Sequence, residues 1–134
     1  MSIKWDPSYS VNVRRCDEDH QKLFSMLNTL HESMLAGKGK EVVQQVVKQL
    51  ADYAKFHFAA EEALMEKTKY PALTAHRAEH QAFVKKVEEF QADIAGGKLS
   101  TSVSVDTFLT QWLTKHIRNS DQKYGPHLNA NGVN

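Results

Sequence analysis

Apolar positions recur along the chain at alternating spacings of three and four, the signature of helices that each bury one face. Clusters of glycine and proline cut this pattern into four stretches. An arm with Trp5 and Pro7 comes first. The first stretch starts near Asp17, a residue type that caps helices, and stops at Gly37-Lys38-Gly39; its stripe is His20, Leu23, Leu27, Leu30 and Met34. The second runs from near Lys40 to just before Tyr70-Pro71, with Val43, Val46, Leu50, Tyr53, His57 and Leu64 on one face. The third runs from about Pro71 to Gly96-Gly97 and carries Leu73, His76, His80, Phe83, Val87, Phe90 and Ile94. The fourth starts near Ser102 or Ser104 and runs toward Asp121, with Val105, Phe108 or Leu109, Trp112 and His116. From Tyr124-Gly125-Pro126 onward the chain reads as irregular. No alternating strand pattern and no internal repeat interrupts this reading.

Long helices joined by short loops make antiparallel neighbours. The predicted fold is therefore all-α: an antiparallel up-down-up-down four-helix bundle over about 17–121. An N-terminal arm (1–16) and a short C-terminal tail (122–134) complete a single domain, 1–134. Composition fits. A chain of 134 residues, 41% of them apolar, builds a core without disulfides, and the single cysteine, Cys16, excludes an internal one. The 17 Lys and Arg nearly cancel the 16 Asp and Glu, and without a basic patch neither nucleic acid nor a membrane surface is an expected partner. No apolar run is long enough to span a bilayer, and the first residues lack the apolar centre of a signal peptide, so the expected location is the cytoplasm. No large exposed apolar stripe stands out, which favours a monomer.

Histidine changes the picture. Five of the seven histidines, His20, His57, His76, His80 and His116, sit in the apolar stripes. A buried polar group without a partner costs about 1–3 kcal/mol, so five call for a shared explanation. Topology supplies one. The start of the first helix, the end of the second, the start of the third and the end of the fourth lie at one end of an antiparallel bundle. Five imidazoles then converge on one core layer, where crowding should keep them neutral and available as metal ligands. His76 and His80 are four apart on one face, as are His57 and Glu61. Asp121 follows His116 by five, about 140° round an ideal helix, so it can point inward only if the last turn widens or unwinds. Five nitrogens and two carboxylates exceed what one zinc takes, whereas two metals bridged by the carboxylates use all seven. The donor mixture suits iron, copper, nickel or zinc.

These pieces resemble the hemerythrin family, specifically the single-domain bacterial members. The resemblance lies in Asp19-His20, His57-Phe58-Ala59-Ala60-Glu61-Glu62, His76-Arg77-Ala78-Glu79-His80, Trp112-Leu113, His116-Ile117 and Asp121, and extends to the Trp5 arm and the Tyr124-Gly125-Pro126 tail. It implies a non-haem di-iron site with a bridging oxo or hydroxo group. His76, His80 and His116 would hold one iron and His20 and His57 the other, with Glu61 and Asp121 bridging. The second iron, one ligand short, would offer dioxygen an open position in a dry pocket lined by Phe58, Trp112, Leu113 and Ile117. The implied function is reversible dioxygen binding for transport, storage or delivery to an oxygen-consuming enzyme, rather than catalysis.

Two departures stand out. Cys16-Asp17-Glu18-Asp19 precedes His20 where many relatives carry an apolar residue, Asp and, next to the His, Gln; Asp19 there is expected to affect either the surroundings of the ligands or the helix start, without touching a ligand. Cys16 reads as an inert buried thiol. His31, about 16 Å along the axis from His20, and His127 have no ligand role. The competing readings are a plain bundle with core histidines, a zinc peptidase of the H-x-x-E-H type through His76 to His80, a di-iron redox enzyme and an oxygen or redox sensor. The peptidase reading leaves His20, His57 and His116 unexplained, and Glu79, off the core stripe, reads as a solvated surface carboxylate.

Overall fold

The computed structural model describes residues 3–37, 39–97 and 102–134, excepting the side chains of 102–106. Its helices are α1 (Arg14–Leu35), α2 (Lys40–Lys67), α3 (Leu73–Ala95), α4 (Ser102–His116) and α5 (Gln122–Ala130), and no strand occurs among the described residues. Between α4 and α5 lies a wide helical turn, Ile117–Asp121. Helix α1 packs on α2 and α4, and α3 packs on the same two, which closes a four-helix bundle. Among the described residues no helix is long and apolar enough to cross a membrane.

The stripes form the core. Leu23, Leu27, Leu30, Val43, Leu50, Phe83, Val87, Phe90, Ile94 and Leu109 are all buried. The choice between Phe108 and Leu109 falls to Leu109, which is fully buried while Phe108 is exposed. On α2 the stripe is wider than the spacing of threes and fours shows. Val46, Tyr53 and Leu64 lie at its half-buried margin, while Val47, Ala51, Ala54, Phe58 and Met65 join its centre. The side chain of Val105 lies outside the described residues.

Helix α1 begins at Arg14, and Asp17 does not cap it. Asp17 sits in the first turn and accepts hydrogen bonds from the Val11 amide (2.8 Å) and the Ser10 hydroxyl (2.6 Å). It binds the arm to the helix, a tertiary task that a capping rule does not anticipate. Gly37 follows α1 with φ +66°, a left-handed conformation that glycine adopts without a Cβ clash. Helix α3 begins at Leu73, two residues after Pro71.

The tail is the clearest difference from the sequence reading. Gln122–Ala130 is helical despite Gly125 and Pro126. Gly125 allows it. A Cβ there would stand 2.3 Å from the carbonyl oxygen of Val11, so only glycine lets α5 lie against the arm. Tyr124 and Leu128, both fully buried, then face the bundle.

Candidate metal centre

The five stripe histidines, Glu61 and Asp121 are all buried and meet at one end of the bundle. Each comes from the element the stripes assign: His20 from α1, His57 and Glu61 from α2, His76 and His80 from α3, His116 from the end of α4. Asp121 arrives through the wide turn. The Gln122 amide bonds back to the Ile117 carbonyl, an i→i+5 pattern. Five residues thus fill about one turn, which returns Asp121 to the face of His116. The widening that Asp121 requires is present.

Each carboxylate divides its two oxygens between two histidine groups. Oε2 of Glu61 lies 3.1 Å from His20 Nε2 and 3.0 Å from His57 Nε2, while Oε1 lies 3.2 Å from His80 Nε2 and 3.9 Å from His76 Nε2. Oδ2 of Asp121 lies 3.0 Å from His20 Nε2, and Oδ1 lies 2.9 Å from both His76 Nε2 and His116 Nε2. Among the described residues, His57 Nε2, His76 Nε2, Glu61 Oε1 and Asp121 Oδ1 are buried without a hydrogen-bond partner. These atoms converge without bonding geometry toward one another. Their arrangement fits two cations, one beside His20 and His57, the other beside His76, His80 and His116.

At His20, His57 and His116 electrostatics departs from the expectation of neutral imidazoles. Burial alone would favour neutral His20, but the adjacent Asp121 and Glu61 outweigh it and push its pKa up to about 10. Against the same opposing burial, Glu61 and Asp19 push His57 up to about 9. His116 is raised too, where burial yields to Asp121, Glu61 and Glu79. Glu61 itself is held below the usual carboxylate range because its histidine partners overcome burial. These charges favour protons on His20 and His57 in the metal-free protein, and metal binding would release them.

The roles of Tyr124 and Glu62 escaped the sequence reading, while Asp19, expected to affect the surroundings of the ligands or the helix start, and Glu79, expected to be solvated, take definite places here. Tyr124, fully buried on α5, donates its hydroxyl hydrogen to Oε2 of Glu61. Asp19 accepts from His57 Nδ1 (2.8 Å) and from the Tyr53 hydroxyl (2.7 Å). Glu62 accepts from His80 Nδ1 (2.9 Å). Glu79 is not simply a solvated carboxylate: it accepts from His116 Nδ1 (2.8 Å) and Ser120 Oγ (2.7 Å). It therefore serves the far nitrogen of a histidine, not the place of a peptidase base. For Glu62 and Glu79 the signal available in sequence was adjacency to a site residue; for Asp19 it was also the departure from the family pattern before His20.

Around the site, Phe58 stacks on His80 (centroids 3.9 Å apart) and Trp112 on His116 (4.5 Å). Leu113 and Ile117 are buried. Cys16 is buried as well; burial and the charge of Glu61 push its thiol far up, which suits an inert role. His127 donates from Nε2 to the Thr68 carbonyl (2.7 Å), and His31 is half-buried on α1.

Comparison with known proteins agrees with this geometry. Residues 11–128 match the family model described as hemerythrin HHE cation binding domain. The chain is 33% identical over 128 residues to a bacteriohemerythrin of Stenotrophomonas maltophilia, covering 96% of this chain and 82% of that one. It is 34% identical over 122 residues to a bacteriohemerythrin of Methylococcus capsulatus, covering 91% and 92%. A crystal structure of wild-type hemerythrin superposes with a TM-score of 0.87 at 31% identity, covering 94% of this chain and 97% of that one. A buried layer of histidines shared between two carboxylates, on a bundle of this shape, thus comes with sequence similarity over nearly the whole chain, and the protein belongs to the hemerythrin family.

Proposed function

We propose that the protein binds dioxygen reversibly at a non-haem di-iron centre. His76, His80 and His116 would hold one iron and His20 and His57 the other, with Glu61 and Asp121 shared between them. The observation that carries this reading is the division of each carboxylate between the two histidine groups, with inward-facing atoms left unsatisfied. When bound, the iron pair supplies two electrons that can be shared with dioxygen and recovered within one site.

The residues of the chain do the rest. The histidines split three and two, so the His20–His57 side has one protein donor fewer and would offer its open position to a small diatomic ligand. Phe58 and Trp112, which stack on His80 and His116, would form the apolar wall of the site together with the buried Leu113 and Ile117. Such a wall excludes water, protons and outside reductants, which keeps binding reversible. Tyr124 holds Glu61 in place with a neutral donor, since burial and the nearby carboxylates push its phenol well above its ordinary pKa. The physiological use consistent with this chemistry is oxygen transport, storage or delivery to an oxygen-consuming enzyme, by a monomer and without turnover.

The test is iron content with a visible spectrum through one cycle of reduction, exposure to air and deoxygenation. About two irons per chain, with a band that forms in air and disappears on deoxygenation, supports the reading. Irreversible oxidation at the same iron content would favour a redox enzyme or sensor. Absence of iron after reconstitution would overturn it.

A further inference from the structure

Three ligand imidazoles are held from behind by carboxylates in an arrangement that runs around the bundle. Asp19 neighbours His20 on α1 and accepts the Nδ1 hydrogen of His57 on α2 at 2.8 Å. Glu62 neighbours Glu61 on α2 and accepts that of His80 on α3 at 2.9 Å. Glu79 neighbours His80 on α3 and accepts that of His116 on α4 at 2.8 Å. Helices α1, α2 and α3 thus each contribute an inward ligand and, one residue away, a carboxylate that grips a ligand on the next helix. The carboxylates are fixed in turn: the Tyr53 hydroxyl donates to Asp19 (2.7 Å), Arg77 Nε to Glu62 (2.8 Å) and Ser120 Oγ to Glu79 (2.7 Å). Their side chains are 13%, 20% and 44% exposed, so water screens the charge of Asp19 least and that of Glu79 most.

We propose that Asp19, Glu62 and Glu79 are positioning residues that set the electron richness of the two metal positions through the imidazoles they grip. Glu62 and Glu79 act on the His76–His80–His116 position, and Asp19 alone on the His20–His57 position. A carboxylate on the distal N–H fixes Nε2 as the free donor atom and gives the ring partial imidazolate character. A more basic Nε2 favours the more highly charged metal. Asp19 has particular weight, because it is the least exposed of the three and its charge falls on the position with the open side. The metal in this inference rests on the di-iron reading.

The test uses Asp19→Asn, Glu62→Gln and Glu79→Gln, which keep an acceptor oxygen and remove the charge. In the iron-loaded proteins the midpoint potential is measured by spectroelectrochemical titration. In the metal-free proteins the affinity for Co(II) is measured against a chelator. Each charge-removing variant is expected to shift the ferric–ferrous balance about tenfold toward ferrous, about 59 mV upward for a one-electron couple, and to weaken Co(II) binding about tenfold. Asp19→Glu restores the carboxylate and reverses the shift. Tyr53→Phe disturbs the same place but leaves the carboxylate on His57, and does not raise the potential. Potentials and Co(II) affinities equal to those of the parent would overturn the proposal. So would an equal rise in Tyr53→Phe, which would assign the effect to packing. Should the parent bind no iron, the di-iron reading fails separately, and the cobalt affinities still decide whether the carboxylates tune the histidines.

Discussion

The hydroxyl of Tyr124 donates to Oε2 of Glu61, the oxygen that also faces His20 and His57. The last helix of the chain thereby fixes a carboxylate at the centre of the bundle. A hydrogen bond to a charged group contributes about 1.5–3 kcal/mol, so Tyr124→Phe is expected to lower stability by that order. Iron should also leave faster, since Glu61 gains freedom to rotate. Chemical denaturation together with the rate of iron loss to a chelator checks this. Parent values in both would reduce Tyr124 to a packing residue.

Removing Glu61 removes the oxygens shared between the histidine groups. Glu61→Ala is expected to lose most of the bound iron, because two cations would then lie close together with one bridging carboxylate fewer. His116→Ala should also lower iron content, whereas His31→Ala, altered on α1 away from the layer, should leave it unchanged. Iron per folded chain is the measurement, and equal content in all three would refute the ligand assignment.

The pH dependence of the metal-free protein follows from the same charges. His20 and His57 have folded pKa values raised to about 10 and 9 from an ordinary 6.5. Their contribution to stability is fully present below 6.5 and is lost as pH rises through 9 to 10. Glu61 and Asp121 are lowered despite burial, so their contribution is present above the ordinary carboxylate range and fades as pH falls below it. Metal-free protein should therefore melt highest in mildly acidic solution and progressively lower toward pH 10. Metal affinity should run the opposite way, rising over the same interval as His20 and His57 release their protons. Thermal melts and metal titrations across pH 5–10 test both trends; a flat melting profile from 6.5 to 10 would contradict the protonated imidazoles.

Gly125→Ala places a methyl group 2.3 Å from the Val11 carbonyl oxygen, backbone that cannot simply rotate away. Overpacking of this kind costs about 1–3 kcal/mol. Because Tyr124 is the neighbouring residue, separating α5 from the arm should also weaken the Glu61 contact. A lowered unfolding midpoint accompanied by faster iron loss is expected. A change in stability with unaltered iron retention would show that the arm and the site are mechanically independent.

The sequence by itself determined the four long helices, the main line of their buried faces and the gathering of five histidines and Glu61 at one end. Each of these follows from period and direction: a spacing of threes and fours selects a face, and antiparallel order brings alternate helix ends together. Tertiary structure decided what depends on the rotation and rise of one element against another. Asp121 faces inward because the turn after His116 takes an i→i+5 bond, which period alone leaves open. Asp17 reaches back to the arm instead of capping α1, and Gln122–Ala130 is helical because Gly125 can lie against Val11. Asp19, Glu62 and Glu79 sit off the inward stripes, so periodicity alone assigns them to the surface. Their oxygens meet His57, His80 and His116 only because a hydrogen bond is decided to within tenths of an ångström by the packing of neighbouring helices, a precision no linear pattern carries.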